Sequence, residues 1–156
     1  MTNGSGTPTQ AEEVWQSPRG SLVISYPGPA VMVFTYRGYM TADVVPFVAA
    51  AVDRMFATGA TPDFYVDLGD LGGFDSEYRR QITEWGKIAY QQIGEARFFV
   101  RSRLIAISVA VSNLAVRGKI KALTKRTEFD AAIDAAVRRH TGQAHAGEKP
   151  ERTPPG

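Results

Sequence analysis

The chain has no cysteine and, in 156 residues, two histidines, His140 and His145. The first absence excludes disulfide scaffolds, thiol nucleophiles and cysteine-ligated zinc. The second leaves little from which to build a histidine-rich metal site or a Ser-His-Asp triad. Long apolar runs are missing too: none approaches the roughly 18 residues that a membrane span needs. The opening M-T-N-G-S-G-T-P-T-Q lacks the charged and apolar regions of a signal peptide. A cytoplasmic protein without a membrane span is therefore expected. Gly72-Gly73 is too short for a P-loop and lacks its lysine, no Gly-x-Ser-x-Gly elbow occurs, and no internal repeat is visible.

What is present suits one domain: a chain that is 44% hydrophobic and 10% aromatic has enough for a sizeable core. Charge is unevenly spread. Up to Ala96 there are 6 basic and 11 acidic residues, and from Arg97 onward 12 basic and 5 acidic, so a net −5 is followed by a net +7. A basic half can face phosphates or an acidic partner. No nucleic-acid-binding motif accompanies it, so solvation of the last helices is the simpler account and no nucleic-acid partner is expected.

In order along the chain, residues 1–18 are rich in Gly, Thr, Ser, Pro and Gln and are expected to form a tail, with Trp15 capping an edge of the core. Residues 19–140 form the domain, and 141–156, polar and rich in Pro and Gly, a second disordered tail. S-L-V-I-S-Y from Ser21 and V-M-V-F-T-Y from Val31, joined by Pro27-Gly28-Pro29, predict an antiparallel hairpin. A helix capped by Asp43 follows, with Val45, Val48, Val52, Met55 and Phe56 on its core face and Gly59 at its end. Phe64 to Leu68 predicts a central parallel strand, since a helix crosses over to it. Tyr78, Ile82, Trp85 and Ala89 or Ile88 trace the buried face of a second helix, which Gly94 stops. Arg97 to Val100 reads equally as strand, helix or turn, whereas L-I-A-I-S-V from Leu104 reads as a buried strand. Ser112 is then the N-cap of a third helix through about Leu123, and Thr124 to Arg126 is a link or edge strand. The last helix turns Phe129, Ile133, Ala136 and Val137 inward, and Arg138, Arg139 and His140 suit its C-terminal dipole. The expected class is α/β, a single domain with a mixed four- to five-stranded sheet and about four helices.

The stretch that organises this pattern is Asp63 to Tyr78, D-F-Y-V-D-L-G-D-L-G-G-F-D-S-E-Y. A strand feeding a glycine-rich loop and a helix N-terminus is where open α/β sheets place their sites. Asp67-Leu68 and Asp75-Ser76 stand at the spacing at which STAS domains, the anti-sigma-factor antagonists and their relatives, end a strand in Asp-Leu and open a helix with Asp-Ser. The chain resembles that family from about Ser21 to Arg139, with Gly38 where such domains often carry a glycine. It departs from the pattern at Glu77 and Tyr78, where the family continues with a small residue and a glycine. The SpoIIAA-like branch, grouped with SEC14-like lipid-binding modules, accommodates that departure.

The resemblance implies a non-catalytic module that docks a protein partner, an anti-sigma-type kinase or similar regulator, around Asp67, Asp70, Gly73, Asp75, Ser76 and Glu77. Ser76 is its phosphoacceptor candidate, because a helix N-terminus stabilises a phosphate dianion. On residue chemistry alone, Asp75-Ser76 is equally a helix cap. The alternative is a small apolar or lipid ligand, with Tyr78, Trp85, Tyr90, Phe98 and Phe99 lining its pocket. The carboxylates match neither Asp-x-Asp nor an EF-hand, so no metal and no cofactor is expected. Without a base beside Ser76, no catalysis is expected either.

Overall fold

A computed structural model describes residues 11–147. The strands are β1 (Glu12–Gln16), β2 (Gly20–Gly28), β3 (Val31–Met40), β4 (Asp63–Phe74), β5 (Ala96–Phe99) and β6 (Ile120–Leu123). The helices are α1 (Val44–Ala57), α2 (Ser76–Ala89), α3 (Arg103–Ala115) and α4 (Arg126–Gly147), with a 3-10 turn over Tyr90–Gln92. The strands lie in sequence order in one six-stranded sheet. β1, β2 and β3 pair antiparallel, and β3 to β6 pair parallel.

Because each parallel strand is added on the same side of the last, right-handed crossovers put α1, α2 and α3 on one face of the sheet. The strand period of two then sorts the side chains. Met32, Phe34, Phe64 and Val66 join Leu22, Ile24, Val48, Val52 and Ile105 in the larger core under those helices. Val31, Tyr65 and Phe99 face the other way, into a second cluster with Phe129 and Ala136 of α4. Phe129, Ile133, Ala136 and Val137 thus turn inward as their spacing predicts.

The sheet is wider than the expected four to five strands because residues inside the expected N-terminal tail form β1. Alternation explains it: Glu13 and Trp15 turn toward the protein while Glu12, Val14 and Gln16 stay exposed. Trp15 packs on the larger core. Glu13 pairs with Arg54 of α1 and accepts the Tyr26 hydroxyl, which ties the edge strand down. At the other end α4 runs on to Gly147, past the expected end of the domain at residue 140. The rest of the two expected tails, 1–10 and 148–156, lies outside the described residues.

Three expectations between Leu104 and Arg126 fail together. L-I-A-I-S-V is helical, not a strand; Ser112 lies inside α3 rather than capping it; and the last strand is at Ile120–Leu123 rather than after it. Ser102 is the N-cap, its side chain accepting the Ile105 N–H at 3.4 Å. The strand slot had already gone to Ala96–Phe99, which takes β4 as its partner from Phe64 to Asp67. The glycine loop after Leu68 is likewise strand: Asp70, Leu71, Gly73 and Phe74 continue the ladder beside Arg37, Gly38, Tyr39 and Met40, with register shifts at Thr35/Arg37 and Gly38/Tyr39. Gly38 is required there. Its φ is +75°, and a Cβ would collide with the Arg19 carbonyl.

Candidate functional site

β4 leads straight into α2, and the turn between them is Asp75 alone. Asp75 has extended φ and ψ, and its carboxylate accepts the Tyr78 N–H at 2.7 Å. Its own N–H donates to the Met40 carbonyl at 3.1 Å. The helix is therefore capped by Asp75, and Ser76, exposed at the first helical position, takes no part in the cap. The N–H groups of Ser76 and Glu77 belong to the first turn, which has no carbonyl of its own helix to bond.

The carboxylates that accompany Ser76 in sequence are dispersed by the fold. Glu77 is held by Arg80 and Gln81 on its own helix, and the Arg80 and Gln81 hydrogen bonds bring its carboxyl down to about 2. Asp70, exposed on the β4 extension, lies 3.9 Å from Arg101. Gly73 is a ladder residue whose missing Cβ would touch the Tyr39 ring at 3.3 Å. Asp67 does not join this group. It faces α4, pairing with Arg126 at 2.5 Å while its Oδ1 accepts the Gly69 N–H at 2.9 Å. Asp70, Gly73, Asp75, Ser76 and Glu77 thus lie on the path into α2, and Asp67 serves the opposite face.

Between the sheet and α2 and α3 lies an apolar cavity of about 110 Å³. Tyr78, Trp85, Tyr90 and Phe98 line it as expected, joined by Ile105 and Val109 of α3. Phe99 does not: strand alternation points it at Phe129, with ring centroids 5.8 Å apart. Ala89 rather than Ile88 is the buried residue at the end of α2, Ile88 being 68% exposed. Three tyrosines crowd the cavity. Burial raises the Tyr36 hydroxyl to about 12, and burial also raises Tyr78 and Tyr90 above the ordinary phenol value. Burial therefore keeps these hydroxyls protonated, and they are not proton donors at neutral pH.

A polar cluster that sequence reasoning missed sits at the start of β4. Asp63, 3% exposed, accepts the Glu95 N–H at 2.6 Å and pairs with Arg139 at 2.5 Å and with His140 Nε2 at 2.8 Å. Burial pushes its carboxyl up, but the Glu95 N–H, His140 and Arg139 together outweigh this and leave it below the ordinary value. The signal in the sequence was slight: a carboxylate opening a central strand, and Arg139-His140 late in the last helical pattern. With Asp67–Arg126, Asp63 holds α4 at its first residue and again at Arg139, a little past its middle. Among the described residues, no group of three or more His, Asp or Glu side chains is arranged to hold a metal ion, and no helix is long and apolar enough to cross a membrane.

No family model and no curated protein matches the chain. Solved structures do. A DUF3478-family protein with a SpoIIAA-like fold from Shewanella loihica PV-4 is 12% identical, with a TM-score of 0.57 over 82% of this chain and 99% of its own. An anti-sigma factor antagonist from Mycobacterium paratuberculosis is 13% identical, with a TM-score of 0.53 over 77% of this chain and 99% of its own. The Bacillus cell fate determinant SpoIIAA, in its phosphorylated form, is 13% identical, with a TM-score of 0.54 over 71% of this chain and 98% of its own. Likeness at these identities is likeness of fold, and the chain has the SpoIIAA-like fold.

Proposed function

We propose that this chain is a non-catalytic regulatory module that docks a protein partner at the N-terminal end of α2, with Ser76 as a phosphoacceptor that switches the docking. The observation that carries the reading is the division of labour between Asp75 and Ser76. Asp75 does the capping, and the Ser76 hydroxyl is left exposed at a helix N-terminus. A phosphate there meets the free N–H groups of the first turn. Repulsion is smaller than the sequence suggests, because Asp70 and Glu77 each lie beside an arginine and Asp67 is on the other face. Two similar folds, an anti-sigma factor antagonist and a phosphorylated SpoIIAA, agree with such a role. The partner class this favours is an anti-sigma-type kinase or a similar regulator.

The test is phosphate mapping by mass spectrometry on chain purified from its own cells, followed by partner retention. Phosphate is expected on Ser76, adding about −1.5 to −2 charges. Ser76→Asp is then expected to release the co-purifying partner, and Ser76→Ala to keep it. Equal retention by both variants, with no phosphate on Ser76, overturns the proposal.

The cavity favours a second reading, a binding module for a small apolar ligand, with Tyr78, Trp85, Tyr90 and Phe98 as walls. A ligand there should quench or shift Trp85 emission, because the indole lies at the wall. Titration with a short fatty acid that leaves the emission of a Trp15→Phe variant, in which Trp85 is the one tryptophan, unchanged would rule it out for that ligand class.

A further inference from the structure

The outer side of α3 is apolar without a cover. Leu104 is 72% exposed, Ile107 58%, Val111 47% and Leu114 81%, while Ile105 and Val109 on the opposite side are buried. The exposed residues follow one another at intervals of 3, 4 and 3, the spacing of a coiled-coil seam. Ser108, Ala110 and Ala115 beside them are small, so a second helix can approach closely. Arg103 and Arg117 stand at the two ends of the row, and among the described residues neither pairs with a carboxylate. Between Glu95 and Glu128 the sequence has eight Lys and Arg and no Asp or Glu. Past Leu114 a groove between α2 and α3 is lined by Lys87, Tyr90, Gln91, Ala115, Arg117 and Lys119.

We infer that α3 is a docking surface for an acidic amphipathic helix of a partner protein, whose apolar stripe packs on Leu104, Ile107, Val111 and Leu114 and whose carboxylates meet the arginines and the cationic groove. Charge selects this occupant. A second copy of the chain, laid antiparallel, would match the apolar row to itself but bring arginines together at both ends. A bilayer calls for a broad face with aromatic side chains at the interface. The row here is narrow and α3 carries no aromatic residue. Segments 1–10 and 148–156 hold one apolar side chain between them, Met1, and supply no stripe that could fold back onto it. The surface is on a different helix from Ser76, and the inference stands whether or not Ser76 is phosphorylated.

The probe is a synthetic helix with leucine at each a and d position and glutamate at the flanking positions, compared with its lysine counterpart by fluorescence anisotropy. The glutamate helix is expected to bind and the lysine helix not to. The Ile107→Glu/Leu114→Glu double variant, altered at exposed positions only, should weaken binding about tenfold or more. Arg103→Glu/Arg117→Glu keeps the apolar row and should transfer the preference to the lysine helix. Failure of the glutamate helix to bind, or equal binding of both helices, overturns the inference. So do two other results: a dimer in sedimentation velocity that the double variant abolishes, which makes the occupant a second copy, and sedimentation with phosphatidylglycerol vesicles that the same variant abolishes, which makes it a membrane.

Discussion

The two faces of the sheet are finished to different degrees. On the α4 side, Tyr65, Phe99, Phe129 and Ala136 are almost wholly buried, and the helix is pinned at Arg126 and Arg139 by ion pairs from β4. Side chains 63, 65 and 67 of one strand act in turn as clamp, packing residue and clamp. On the other side the core is larger, but it encloses a cavity of about 110 Å³ and leaves the outer row of α3 in solvent. Apolar surface that is neither buried nor scattered marks an interaction site. Both faces hold the fold together, but the open one leaves apolar surface unburied, which the proposed partner or ligand would cover.

The largest expected effect tests that contrast directly. Phe129→Ala should cost about 3–5 kcal/mol, because the ring is 1% exposed between Tyr65 and Phe99 and its loss leaves a closed void. Trp85→Ala, though it removes a larger ring, should cost less than half as much. The indole is half-buried beside an existing cavity, so its loss widens an opening rather than creating a void. Urea unfolding of both variants decides. Equal costs would mean that the faces are equally packed and the cavity has no bearing on stability.

Next in size is the clamp. Asp63→Ala should cost roughly 2–4 kcal/mol at neutral pH, since it leaves the Glu95 N–H and His140 without their acceptor. The carboxyl lies below its ordinary value in the folded protein, so its contribution is present above about pH 4, the unfolded value, and is lost as pH falls through the folded one. Melting curves of wild type and variant should therefore converge on acidification below about pH 4. A gap that stays constant to pH 2 would show that Asp63 acts through packing alone.

The two faces also differ in how well they could be read from sequence. α4 has inward residues at helical spacing and polar residues elsewhere, so Phe129, Ile133, Ala136 and Val137 were legible. α3 has an apolar row on its exposed side as well as on its buried one, and a helix with two apolar rows looks in sequence like a strand buried on both faces. The row that leaves α3 unpartnered is thus what hid it. β1 was lost to its neighbours: five residues beside a Gly- and Thr-rich segment carry a weak period, and the contacts that order them, Glu13 with Arg54 and Tyr26, are remote in the chain. At the candidate site the spacing from Asp67 to Ser76 was legible, but the side to which each carboxylate turned was not. That depended on the strand continuing to Phe74, which the glycines concealed.

The smallest effect separates stability from function within the open face. Asp75 and Ser76 are adjacent and both are favoured at helix starts, yet only Asp75 caps the helix. Asp75→Ala removes the acceptor of the Tyr78 N–H and should cost about 1 kcal/mol. Ser76→Ala touches no cap, and alanine is a good helix former, so its effect should lie within about 0.5 kcal/mol of zero. Asp75→Ser should restore most of the lost stability, since serine caps nearly as well as aspartate. If Ser76→Ala were the costlier of the two, the serine would be the cap, and its presence would need no functional account. If it is silent in unfolding and still alters partner retention, the hydroxyl is present for chemistry done to it rather than for the fold.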